Sequence, residues 1–102
     1  MSVTSYLVCP SRQLALGLGK RLRNSDGDLT GFALNDRLTS DDVDMTQALW
    51  KFLVDTAGEE LVVKFSDAAD YEEIASHREI SLWADEDRDV SIADYLRDGA
   101  QP

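Results

Sequence analysis

One cysteine, one histidine and two prolines are all that 102 residues hold of these types, and each scarcity removes a class of protein. With Cys9 alone an intramolecular disulfide is impossible, so the fold gains nothing from an oxidising compartment. Zinc wants sulfur and nitrogen ligands at close spacing, and Cys9 and His77 stand far apart in the chain, so no metal site is expected. The same inventory argues against an enzyme. His77 lies between Ser76 and Arg78 at an element boundary, where a solvated turn residue is the ordinary reading, since a general base needs a positioned partner. Cys9 ends an apolar segment, where cysteine serves as a small core hydrophobe. No catalytic residue and no cofactor are expected.

Long apolar runs are also missing. No stretch of eighteen or more apolar residues occurs, and Met1 to Tyr6 lack the basic-then-apolar pattern of a secretion signal, so the expected location is the cytoplasm, away from membranes. Bases are the next shortage: ten against twenty acids give a net charge of −10, a surface that repels nucleic-acid phosphates. The charge is uneven, because residues 1–25 carry +4 with no acid and residues 26–102 carry −14.

What is present describes one packed domain over residues 1–102, since the 43% hydrophobic content is too high for a disordered chain and the length too short for two cores. Val3 to Cys9 is β-branched and aromatic and stops at Pro10, as a strand does. In Gln13 to Lys20, Leu14, Leu16 and Leu18 alternate with Ala15, Gly17 and Gly19, a second strand forming a hairpin with the first. Two glycines would each cost a helix about 1 kcal/mol there. Arg23 to Asp28 is turn chemistry, and Leu29 to Leu34 a short third strand. A helix is expected over about 41–57, N-capped by Thr39 or Ser40 and ended by Gly58. Its buried stripe is Met45, Leu49, Phe52 and Leu53, with Val43, Ala48 and Trp50 at or beside the edges. Strand 60–66 follows, with Leu61, Val63 and Phe65 facing one way and Val62 and Lys64 the other. A short helix over 67–76, a strand over 79–84 and a last helix over 91–98 complete an α+β fold. The expectation is a small, mostly antiparallel sheet covered on one face by the main helix and two short ones.

Two acidic segments, Asn24/Asp26/Asp28 and Asp85/Asp87/Asp89, place oxygen ligands at alternate positions, as calcium loops do. Such a loop also needs glycine at its sixth position and glutamate at its twelfth. Those places hold Leu29 and Asn35 in the first, Val90 and Leu96 in the second. Acidic turns are the better reading. Gly17 to Lys20 lacks the spacing of a phosphate loop, and its glycines thin the strand so that another segment can approach.

The remaining signal is surface. Trp50, Trp83 and Tyr71 are large aromatics in an acidic chain, a make-up suited either to completing the core or to an interface. In the interface reading Asp41, Asp42, Asp44, Asp85, Glu86, Asp87 and Asp89 supply the field that steers a basic partner.

The opening Y-L-V-C-P-S-R, with L-G-L-G-K shortly after and L-W-K-F-L ahead of a glycine and a strand, resembles small uncharacterised bacterial proteins. In these a strand ending in Cys-x-x-Cys-Lys precedes a Leu-Gly-Lys strand. The likeness covers roughly residues 5–66 and departs at the second cysteine, where Arg12 stands, so any metal or redox use of that pair is absent here. It implies a bacterial origin and a hairpin start, and no function. From charge, size and missing catalytic groups, the expected function is a small acidic inhibitor or immunity-type protein that occludes a cognate toxin or enzyme. The alternative is a small-molecule-binding or regulatory domain with a pocket between helix 41–57 and the sheet.

Overall fold

The computed structural model describes residues 3–34, 36–69, 71–75, 77–81 and 90–98. The hairpin forms as its sequence dictates. Pro10 ends strand β1 (Thr4–Cys9) and opens a 3-10 turn over Pro10–Arg12. Gln13 closes the turn from the left-handed region, φ 55°, donating its N–H to the Pro10 carbonyl at 3.2 Å. Strand β2 (Leu14–Arg23) returns antiparallel, with Cys9 opposite Leu14 and Leu7 opposite Leu16. This register puts Leu7, Cys9, Leu14, Leu16 and Leu18 on one face and Tyr6, Val8 and Ala15 on the other.

The glycines of β2 do let other segments approach. A Cβ on Gly17 would stand 3.0 Å from the Ser81 Cβ, and one on Gly19, at φ +102°, would press into the Ala33 carbonyl. Asn24 makes the following turn: its Oδ1 accepts from the Asp26 and Asp28 amides at 2.9 and 3.0 Å. Strand β3 (Leu29–Ala33) then pairs with the outer half of β2.

Helix α1 spans Val43–Asp55, inside the expected bounds. Its N-cap is Asp42 rather than Thr39 or Ser40, because the Asp42 carboxylate accepts the Met45 amide at 2.9 Å. Thr39 to Asp41 form a 3-10 turn instead, tied to β2 by the Thr39 hydroxyl donating to the Leu18 carbonyl at 2.6 Å. Strand β4 (Val62–Phe65) pairs antiparallel with the free side of β1, with faces as expected from the alternation.

Helix α2 (Tyr71–Ala75) leads to β5 (Arg78–Ser81), which runs parallel to the start of β2, and β6 (Val90–Ser91) runs parallel to β5. Helix α3 (Ile92–Asp98) closes the described fold, with the Ser91 hydroxyl accepting the Asp94 amide. The fold is α+β with an open, mixed sheet in the order β4, β1, β2, β5, β6, and β3 paired to β2. Antiparallel pairing holds from β4 through β1 and β2 to β3. The parallel β2–β5 pair arises because the chain crosses from β4 over the sheet before laying down β5 in the direction of β2.

That crossover also corrects the expected one-sided cover. Helices α1 and α3 pack on the leucine face, where Leu16, Ala48, Phe52, Ile80, Ile92 and Tyr95 are at most 2% exposed. Tyr71 of α2 packs on the opposite face against Tyr6, with ring centroids 6.0 Å apart.

Two tyrosines make stability depend on alkali. The Tyr95 hydroxyl is pushed above the ordinary phenol range first by burial and then by the Asp55 carboxylate, to which it donates at 2.6 Å. Tyr6 is shifted the same way, first by burial and then by the Tyr71 hydroxyl at 3.5 Å. The folded chain therefore holds these protons more tightly than the unfolded one. Their stabilisation is complete below about pH 10, where the unfolded phenols are still neutral, and falls as pH rises past it by at most about 1.4 kcal/mol per unit for each tyrosine. The urea midpoint is expected to drop between about pH 9 and pH 11, with tyrosinate absorbance rising as the fold is lost. A midpoint flat over that interval contradicts this.

Candidate functional site

Helix α1 carries three of the six large apolar side chains that are exposed among the described residues. Met45, Ala48, Phe52 and Asp55 follow one another on its buried side. Val43, Trp50 and Val54 fall at i, i+7 and i+11, a single stripe on the opposite side, exposed by 68, 66 and 73%. The expected placement of Val43 and Trp50 beside the buried stripe is thus wrong for the fold, and Trp50 does not complete the core. The sheet already fills the inner side with Met45, Ala48 and Phe52, so α1 carries a second apolar face its own packing does not use.

A groove opens between the N-terminal half of α1 and the leucine face of the sheet. Its volume is about 480 Å³. Leu7, Leu18, Phe32, Met45, Leu49 and Val63 form its apolar walls, and Thr39, Ser40 and Thr46 bring hydroxyls to it. The Thr39 and Thr46 hydroxyls are engaged, donating to the Leu18 and Asp42 carbonyls at 2.6 and 2.9 Å. Among the described residues that line the groove no side chain is charged. The groove exists because α1 packs over β2 while β4, at the sheet edge, keeps Val63 42% exposed.

The acids named from sequence separate. Asp41 and Asp44 are exposed beside the start of α1. Asp42 is buried and serves the fold: the Met45 amide, then Arg37 at 2.8 Å, hold its carboxyl below the usual carboxylate range. Tyr71 is half-buried on the far face of the sheet, away from Trp50. Trp83, Asp85, Glu86, Asp87 and Asp89 lie outside the described residues.

Sequence reasoning missed the burial of His77. It is 7% exposed with an unpaired Nδ1, not a solvated turn residue. It lines a smaller cavity of about 290 Å³ with Val8, Val62, Glu60, Lys64 and Glu73. The cause is tertiary: the next residue, Arg78, donates its amide to the Gln13 carbonyl and draws His77 under the hairpin. Nothing in the local sequence signals that. Cys9 is fully buried, 3.6 Å from the Ser11 hydroxyl, which donates to Glu59 at 2.6 Å. Among the described residues no three His, Cys, Asp or Glu side chains converge as a metal ion requires.

The basic start of the chain also gains a place. Arg21 pairs with Asp67 at 3.0 Å and lies 4.9 Å over the Phe65 ring, linking the end of β2 to the residues that follow β4. Among the described residues no helix is long and apolar enough to cross a membrane.

No protein-family model matches the chain, and neither a curated protein nor a solved structure matches it.

Proposed function

We propose that this chain is a small acidic protein-binding domain of the inhibitor or immunity type, docking through the outer face of α1 to occlude a basic partner such as a cognate bacterial toxin or enzyme. The observation that carries this reading is the stripe of Val43, Trp50 and Val54, unused by the fold and flanked by exposed Asp41 and Asp44. A tryptophan anchor contributes contact area at little entropy cost, while the −10 charge speeds encounter with a cationic cleft and rejects acidic competitors.

The test compares wild type with Trp50→Ala and Val54→Asp, each immobilised at low salt with the soluble proteins of the source cell. Wild type is expected to retain a basic polypeptide whose own activity it inhibits, and to release it in about 1 M salt, where screening acts within about 3 Å. Trp50→Ala is expected to weaken binding by about 2 kcal/mol, roughly thirtyfold. Equal retention by all three proteins, or a retained polypeptide that is acidic, contradicts the proposal.

A second reading, a small-molecule-binding domain without catalysis, draws on a different observation. The groove under α1 falls within the usual 300–1,000 Å³ of ligand pockets and has apolar walls with a few hydroxyls at hand.

A further inference from the structure

We infer that the groove between α1 and the sheet takes a single-chain cationic amphiphile: an aliphatic tail along Leu7, Leu18, Phe32 and Val63, with an ammonium head at the Ser40 end. This rests on the ligand-pocket reading of the groove and adds the chemistry of its occupant.

The tail follows from the walls. Six apolar side chains from β1, β2, β3, β4 and α1 enclose the space and offer no charge, so only aliphatic or aromatic surface is matched there. The sign of the head follows from the polar end. Residues 36–44 carry Asp36, Asp41, Asp42 and Asp44 against Arg37 alone, a net −3, and Arg37 is held by Asp36 and Asp42 at 2.9 and 2.8 Å. The N-terminus of α1 would otherwise favour an anion, but Asp42 already accepts the Met45 amide there. An anionic head such as a fatty carboxylate would come close to exposed Asp41, the neighbour of Ser40, with no cation among the described residues that line the groove to offset it. An ammonium head meets the opposite field.

The experiment uses the full chain and the neutral fluorophore N-phenyl-1-naphthylamine, displaced by dodecylammonium, dodecanoate or dodecyl maltoside below their micellar concentrations. The probe is expected to bind with one-to-one stoichiometry. Val63→Trp, which occludes the groove from an exposed strand position, is expected to abolish that binding while keeping wild-type circular dichroism and melting temperature. Dodecylammonium is expected to displace the probe at about tenfold lower concentration than dodecanoate, and Ser40→Lys to reverse that order, since tenfold corresponds to one modest charge interaction. Failure of the probe to bind, or undiminished binding to folded Val63→Trp, removes the pocket reading itself. Binding of the probe with no preference for the ammonium, or a preference unmoved by Ser40→Lys, removes this inference and leaves the pocket. Should a basic amphipathic peptide alone compete, with no amphiphile doing so, the groove belongs to the protein partner and the inference fails.

Discussion

Gly19→Ala is expected to destabilise the domain by about 3 kcal/mol, lowering the melting temperature by roughly 15 °C. Two separate costs add. At φ +102° an L side chain is strained, at about 1–2 kcal/mol. The new Cβ would also lie 3.0 Å from the Ala33 carbonyl carbon, closer still to its oxygen, and 3.1 Å from the Thr39 hydroxyl oxygen. None of these is the end of a flexible chain: Ala33 is backbone of β3, and Thr39 is fixed by its bond to the Leu18 carbonyl. The neighbours must therefore move, at a further cost of about 1–3 kcal/mol. That movement would distort the wall shared by β2, β3 and the Thr39–Asp41 turn, so the variant should also lose the groove. Gly31→Ala is the control: Gly31 has no positive φ and no heavy atom within 4 Å of the added Cβ, so a change within about 0.5 kcal/mol is expected. Thermal and urea unfolding of both variants decide this, and equal stabilities would show that the β2–β3 contact yields freely.

Gly19 also marks where local sequence stops being informative. The alternation of Leu14, Leu16 and Leu18 specified a strand and its inward face, and Pro10 specified where the hairpin turns, because both rest on short-range backbone rules. The role of the two glycines was legible too, as sites of close approach, but not what approaches. Ser81 and Ala33 arrive through β5 and β3, and the parallel placing of β5 depends on a crossover that no local period encodes. The same gap explains His77 and the side of the sheet that α2 covers. On α1 the difficulty is of another kind. The helical period put Met45 and Phe52 in the buried stripe, where the structure has them, but apolar residues continue onto the opposite face, so the period could not say that Val43 and Trp50 stand clear of the core. Only the sheet decides, by burying Met45, Ala48 and Phe52 and leaving Val43, Trp50 and Val54 in solvent. Of the residues proposed for recognition, Trp50, Asp41 and Asp44 could be named from sequence, while the walls of the groove could not, since they come from five separate elements.

Asp55→Ala is expected to cost about 3 kcal/mol, although the change is made in a helix, where alanine is the most favourable residue. Asp55 is 8% exposed and joins α1 to α3: its Oδ2 accepts from the Tyr95 hydroxyl at 2.6 Å and from Lys51 Nζ at 2.7 Å. Lys51 in turn lies 3.9 Å from the centre of the Tyr95 ring, so the three side chains brace one another. Removing the carboxylate leaves a phenol that is 2% exposed without this acceptor, at about 1–3 kcal/mol, and an ammonium, 17% exposed at its side chain, without this counter-ion. Lys51 can recover part of its hydration, which keeps the expected loss near the lower end of the range for broken buried pairs. Tyr95→Phe keeps the ring and the ion pair and should cost only about 1 kcal/mol. The double variant should then be less destabilised than the sum of the two, because the bond each change removes is the same one. Urea midpoints of the three variants measure that coupling. Strict additivity, or a loss in Asp55→Ala below that in Tyr95→Phe, would mean that the Asp55–Tyr95 bond does not hold α3 to α1. Since α1 presents the stripe of Val43, Trp50 and Val54, a loosened α1–α3 pair should also weaken any partner bound there, even though Asp55 itself is buried beneath it.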